Sequence, residues 1–395
     1  MNTNPKFISI DPEKLEFHSS CPEGLNDFLL QEIKDSNLKI ISENRGGVFY
    51  AGKRKDLYRF FLSSRFSSRI TFTLQKFNAV DADELYDKAY GIPWERIFLD
   101  GYTYKIESMT KDSLGNSRYA LLKLKDAIQD RIRDKHGREG EIDRINPDIE
   151  IVLRSNRDNV SISISLSPKP MNKRGYRLDT VTAPLRENLA QALIHFSGWD
   201  FKNPLIDPMC GSGTILIEAA LLLKEKGLIN SELLNKSFIF QEMFLEEYEK
   251  YSENITRQRE SQDCIKKNNL KNVILYGFDI DEEAILKTRK NIERAGVSDY
   301  IKIEKRDFLE IENPIASTGY IVTNPPYGQR MGDSQDLKEF YFKIGKKLKN
   351  SFSNFIFTIV CGDKSLLGHL RLKADKEKNL SISKLKGKFV TYHIQ

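Results

Sequence analysis

Apolar residues recur along this chain with two periods, and the change from one to the other marks its elements. Over residues 23–33 they fall at Leu25, Phe28, Leu29 and Ile33, one face of a helix. Residues 39–41 and 47–50 are short apolar runs on either side of Glu43-Asn44-Arg45-Gly46, and predict two strands around a turn. A second helix is expected from Asp56, and residues 69–74 alternate as a strand. Residues 81–90 are helical, with Asp81 placed to cap the start and Gly91 to close the end. Residues 101–107 predict another strand. A long amphipathic helix follows over 118–136, turning Leu121, Leu124, Ile128 and Ile132 inward. Residues 149–154 and 160–166 predict paired strands around 155–159.

The second half changes character. Pro168 and Pro170 hold an extended linker over 167–181. Residues 183–194 read as a helix with Pro184 in its first turn and Gly198 past its end. Strands then alternate with helices: strand 204–206, helix 215–223, strand 275–279, helix 281–296, and strands at 301–307, 320–323 and 355–360. A long charged insert, 228–272, separates the first helix from the second strand. A closing hairpin is expected around Gly387, flanked by 384–385 and 388–393.

Composition narrows the class. The chain has 395 residues, 39% hydrophobic and 30% charged, enough for two or three soluble domains. The net charge of +6 suits an anionic partner. Glu218 interrupts the apolar run 215–223, which is too short to span a bilayer. No apolar segment follows Met1, so no signal peptide is expected. The four cysteines, at 21, 210, 264 and 361, form no Cys-x-x-Cys pair and no His/Cys cluster. That argues against a metal site and for a reducing, cytoplasmic setting.

The chemistry sits at strand ends. Asp207-Pro208-Met209-Cys210-Gly211-Ser212-Gly213-Thr214 joins a short strand to a helix. Its glycines remove Cβ atoms where a ligand must approach the backbone, and free N–H groups at the helix start face it. The next strands end in Asp279 and Asp307, and the fourth in Asn324-Pro325-Pro326-Tyr327. A NAD-binding loop needs a third glycine and an acid about 20 residues on, and this one has neither. Gly-Lys-Ser/Thr is absent, which excludes a P-loop.

Glycine loop, two acids and Asn-Pro-Pro-Tyr in this order resemble the class I S-adenosyl-L-methionine-dependent methyltransferases that act on base amino groups. The resemblance covers about 182–362 and implies a Rossmann-like α/β domain, mainly parallel. It further implies that Asp207, Pro208, Cys210, Gly211, Ser212 and Gly213 cradle the amino acid end of the donor. Asp279 would take its ribose and Asp307 its adenine amino group, with Ile280 or Phe308 against the ring and Asn324 beside the donor. Asn324, Pro325, Pro326 and Tyr327 would be the reaction centre: acceptors for the amino hydrogens, a turn fixed by proline, and an aromatic face for the base. Methylation at carbon would need a cysteine nucleophile. Cys210 and Cys361 are expected to be small apolar fillers.

Residues 1–166 resemble an α+β ferredoxin-like lead-in followed by a THUMP domain, a module that binds structured RNA. Residues 167–194 resemble the join in THUMP-bearing rRNA guanine-N2 methyltransferases of the RlmL/YpsC type. The expected division is 1–64 ferredoxin-like, 65–166 THUMP, 167–181 linker and 182–395 methyltransferase. Relatives of that type can carry a second methyltransferase domain, and this chain is expected to be the single-domain form. Basic residues with interleaved tyrosine, Lys173, Arg174, Tyr176 and Arg177, suit phosphate contact and stacking. Arg118, Lys123 and Arg131 on the 118–136 helix are further RNA candidates. The implied activity is methylation of guanine N2 in 23S rRNA. The alternatives are a tRNA guanine-N2 methyltransferase, an N6-adenine nucleic-acid methyltransferase and a non-catalytic RNA-binding assembly factor. An intact Asp279, Asp307 and Asn324 argue against the last.

Overall fold

The computed structural model describes residues 11–98, 102–111, 117–167, 169–178, 185–224, 238–244, 246–247, 275–313, 318–326, 334–382 and 385–395. In the N-terminal half the strands are β1 (Phe17–Ser20), β2 (Lys39–Asn44), β3 (Gly47–Ala51), β4 (Arg69–Asn78), β5 (Thr103–Lys111), β6 (Glu141–Ile142), β7 (Ile149–Asn156) and β8 (Asn159–Ser165). They form one eight-stranded sheet in the order β2-β3-β1-β4-β8-β7-β5-β6. β1 pairs antiparallel with β4 from Phe17↔Phe72 to Ser20↔Arg69, so the sheet is continuous across residue 64. Its helices are α1 (Asn26–Asp35), α2 (Arg54–Ser63), α3 (Ala82–Tyr90), α4 (Trp94–Ile97) and α5 (Ser117–His136). Asp81 caps α3 by accepting from the amides of Asp83 and Glu84 at 3.0 and 2.9 Å. On α5, Leu124, Ile128 and Ile132 are buried as the spacing predicts, and Leu121 is half-buried.

The C-terminal half holds helices α6 (Glu187–Ser197), α7 (Thr214–Lys224), α8 (Phe238–Met243), α9 (Glu282–Ala295) and α10 (Ser334–Ser351). Its strands are β9 (Leu205–Asp207), β10 (Leu275–Asp279), β11 (Ile301–Lys305), β12 (Tyr320–Thr323), β13 (Ile356–Cys361), β14 (Lys376–Ile382) and β15 (Leu385–His393), in sheet order β11-β10-β9-β12-β13-β15-β14. The first five in that order run parallel, and β15 returns antiparallel to β13. Alternate residues feed two cores. Leu205, Val322 and Val360 join a core shared with α6, α7, α9 and the N-terminal half. Ile206, Ile321 and Ile359 join a second core under α10.

Two expectations are corrected, and one helix is added. α6 begins at Glu187, after an extended Arg186; Pro184 lies outside the described residues. The closing hairpin is longer than expected: Gly387 lies inside β15 opposite Leu380, and β14 supplies the other arm. Helix α10 was not predicted, although Leu337, Tyr341, Ile344 and Leu348 carry its buried stripe.

The halves meet at several points. Ser381 N donates to Glu23 O at 3.0 Å, and Lys378 pairs with Asp27 at 2.6 Å. Within the 228–272 insert, α8 stacks Phe240 on Tyr58 at 5.5 Å, and Arg54 donates to Met243 O at 2.8 Å. Between these contacts lies a buried polar cluster. Glu218 accepts from Tyr176 at 2.9 Å and Gln191 at 2.7 Å, and pairs with Arg174 at 3.8 Å. Arg174 also donates to Arg65 O at 3.1 Å.

That cluster overturns part of the RNA reading. Arg174 and Tyr176 are 6% and 4% exposed, so neither has surface to offer a phosphate or a base. Arg177 pairs with Glu187 at 2.9 Å and donates to Leu185 O at 2.7 Å. These side chains neutralise buried acids, which would otherwise carry a heavy desolvation cost. On α5, Arg131 makes two bonds of 2.9 Å to Glu95, and Lys123 pairs with Asp83. Lys173 and Arg118 are exposed.

Candidate active site

The carboxyl ends of β9, β10 and β12 open on a cleft of about 950 Å³. Its lining includes Asp207, Pro208, Cys210, Gly211 and Ser212 from the first loop, Asp279 and Ile280, Asp307 and Phe308, and Asn324. The loop is held open by its backbone. Gly211 and Gly213 have φ of 55° and 77°, the left-handed region that favours glycine. A Cβ on Gly213 would lie 2.7 Å from Thr288 Cγ2.

Helix α9 clamps this loop. Thr288 Oγ1 donates to Gly211 O at 2.6 Å, and Asn291 Nδ2 donates to Ser212 O at 3.2 Å. Both side chains are fully buried. Sequence reasoning missed them, although polar residues on the inward face of an otherwise apolar stripe were the available signal.

The three acids differ in surroundings. Asp207 is 1% exposed and accepts from Thr323 Oγ1 at 2.8 Å and from the Met209 amide at 3.3 Å. Burial pushes its carboxyl up to about 7, against the pull of those two bonds, and the nearby Asp279 charge adds to the rise. Asp279 accepts from the Gly211 amide at 2.8 Å and the Asp281 amide at 3.0 Å. Asp307 accepts from the Leu309 amide at 2.9 Å. Of the two ring-packing candidates, Ile280 is 66% exposed at the rim. Phe308 is buried against Phe352, with ring centres 6.1 Å apart.

Asn324 follows β12 and lines the same cleft. Its Oδ1 is buried and has no hydrogen-bond partner among the described residues. Such an orphan acceptor is costly to leave unsatisfied. Pro325 is buried beside it, and Pro326 lines the cleft. Tyr341 sits with its hydroxyl 3.4 Å from the Pro326 carbonyl and 3.3 Å from Cys361 Sγ. Tyr327 lies outside the described residues. Burial drives the Cys210 thiol well above its ordinary range, away from the thiolate form that attack on carbon would need. Among the described residues no group of three or more His, Cys, Asp or Glu could hold a metal. No described helix is long and apolar enough to cross a membrane.

Residues 174–390 match the family described as RMKL-like, methyltransferase domain. Residues 79–165 match the THUMP domain and residues 16–71 the RlmL ferredoxin-like domain. The chain is 34% identical over 388 residues to the ribosomal RNA large subunit methyltransferase K/L of Shewanella frigidimarina, covering 95% of this chain and 52% of that protein. The Aeromonas hydrophila protein of the same name is 33% identical over 403 residues, covering 96% and 54%. The chain thus spans about half the length of these curated relatives. Among solved structures, SMU.472 in complex with SAH matches with a TM-score of 0.80 and 25% identity over 96% of this chain and 98% of that one. A possible methylase from Clostridium difficile 630 matches with a TM-score of 0.78 and 28% identity over 96% and 98%. Cleft, glycine loop and strand-end acids all lie within residues 174–390, more than half of the sequence, and the chain belongs to the RMKL-like methyltransferase-domain family.

Proposed function

We propose that this chain moves a methyl group from S-adenosyl-L-methionine to the exocyclic amino group of a base in structured RNA, namely guanine N2 of large-subunit ribosomal RNA. The observation that carries the proposal is Asn324, whose buried Oδ1, without a hydrogen-bond partner among the described residues, stands in a cleft with Asp207, Asp279 and Asp307. The name of the ribosomal RNA large subunit relatives supports the choice of RNA, and the match to SMU.472 in complex with SAH supports the donor.

The residues fit such a donor. The Gly211–Gly213 backbone would receive its amino acid end, with Asp207 near the ammonium. Asp279 holds two amides, and an ionised carboxylate has further acceptor sites for ribose hydroxyls. Asp307 would take the adenine amino group, with Ile280 or Phe308 against the ring. When bound, this donor supplies an electrophilic methyl on a sulfonium.

A base amino group is a poor nucleophile because its lone pair is delocalised into the ring. Asn324 Oδ1 and the Pro325 carbonyl would accept hydrogen bonds from its two N–H groups, localising that pair and aiming it; as the nitrogen–methyl bond forms the sulfur–methyl bond would break, leaving a neutral thioether, and the surplus amino proton would pass to solvent. Catalysis would then be positioning and electrostatics, with no covalent step on the protein. Tyr327 would stack the base once it leaves its helix. Residues 65–166 would hold the RNA, in the cytoplasm.

The test is mass spectrometry of nucleosides from ribosomal and transfer RNA of cells with and without the protein. Loss of N2-methylguanosine from large-subunit rRNA is expected. Loss from tRNA alone, or loss of N6-methyladenosine instead, would overturn the assignment.

A further inference from the structure

Helices α6, α7 and α9 cover one face of the seven-stranded sheet, and the N-terminal half joins the core they form there. The opposite core lies within residues 206–394, under α10. α10 starts at the cleft end of the sheet, after β12, and runs away from it. It turns Leu337, Tyr341, Ile344 and Leu348 inward, and Phe340 lines the cleft alongside Pro326. Lys343 and Lys347 follow Phe340 at i+3 and i+7, so they continue its stripe away from the cleft, with Lys346 beside them. Lys343 and Lys346 are exposed, and Lys347 is half-exposed. Of these three, Lys343 alone has an acid partner among the described residues: Glu339, at 2.7 Å, itself 60% exposed. Between Phe340 and Ser351 the helix carries no acid. On α5, by comparison, Lys123, Arg131 and Arg133 are each paired with a carboxylate.

We propose that this lysine stripe of α10 is a second RNA-docking surface, taking the phosphates of the strand that flanks the target base. The proposal rests on the functional reading above and adds where the substrate's backbone lies. A base that enters the cleft must leave its helix, which opens the strand on either side of it. Exposed lysines take such a backbone by charge, without reading sequence, and the one exposed pair among them, Lys343–Glu339, is weak enough to exchange for a phosphate. The RNA would then be gripped from opposite sides of the sheet, by the N-terminal half on one and by α10 on the other.

The experiment uses the full chain carrying K343Q, K346Q and K347Q together. Glutamine keeps helix propensity, and none of the three is a core residue. Affinity for an unmodified transcript of large-subunit rRNA is read by fluorescence anisotropy across a salt series. Binding should weaken roughly tenfold at low salt, and the slope of log K against log salt should become shallower by about 2, at about 0.7 per lost single-strand contact. The thermal melt and S-adenosylmethionine affinity should not move. A matched variant, K202Q/K290Q/K386Q, removes the same charge from exposed sites outside both α10 and the N-terminal half and should change the slope less. An unchanged slope in the α10 variant overturns the proposal, as does an equal loss in the matched variant. Because binding is read directly, an unmethylated transcript would sink the activity reading alone and leave this one measurable.

Discussion

Asn324→Ala separates stability from catalysis. The wild-type side chain keeps a buried acceptor without a partner among the described residues. Leaving such an atom unsatisfied costs about 1–3 kcal/mol of folding stability. Alanine removes the acceptor and loses only the contacts of a half-buried side chain, so the variant should be between equal in stability and about 1 kcal/mol more stable. Turnover should move the other way. An acceptor that strengthens as positive charge grows on the amino nitrogen acts mainly in the transition state, so its loss should cost about 10²–10³ in rate. That is about 3–4 kcal/mol of barrier. The assay is single-turnover transfer of labelled methyl to unmodified ribosomal RNA, with a denaturant curve on the same preparation. Near-normal turnover would refute the amino-methylation mechanism. A loss of stability beyond about 2 kcal/mol would instead mean that Asn324 is a structural residue and that its acceptor is satisfied in solution.

Four further outcomes can be checked on purified protein. Asp279→Ala should weaken S-adenosylmethionine binding by about 1.5–3 kcal/mol in calorimetry, the scale of a charge-assisted hydrogen bond, and unchanged affinity would remove the ribose assignment. Gly213→Ala forces a side chain into a φ of 77° and against Thr288, so donor affinity should drop; adding Thr288→Ser, which deletes the opposing methyl, should recover part of it. Arg174→Ala strands Glu218 in the interior and should cost about 3–5 kcal/mol in urea unfolding, whereas a fully stable variant with weakened RNA binding would restore the surface reading. Asp207, raised to about 7 by burial, holds its proton at lower pH, and an ammonium needs the carboxylate; donor affinity should therefore fall as pH drops through about 7 and become flat in Asp207→Asn.

What could be read from the chain alone was local. A glycine pair between a strand and a helix, or an acid at a strand end, declares itself within eight residues, and Asp207, Asp279, Asp307 and Asn324 do converge on one cleft. Misreadings came where the deciding partner is distant or the pattern is diluted. β14 reads Lys-Glu-Lys-Asn-Leu-Ser-Ile, and as the outer strand it can carry charge on both sides, which hid it and made Gly387 look like a turn.

The basic residues make the same point with more consequence. Arg174 and Arg177 look like phosphate ligands because their neighbours in sequence are basic and aromatic. Their roles are set by Glu218 and Glu187, which lie on two different helices. The clue was present: Glu218 interrupts an apolar run and is 0% exposed, and an acid there requires a buried partner. Cations should therefore be weighed against the acids that the fold brings to them. By that rule Arg174 and Arg177 lose their claim to RNA, while the stretch of α10 after Glu339, which has four lysines and no acid, gains one. A buried cation already held by a buried carboxylate has nothing left for a phosphate, whereas an exposed one can exchange its partner.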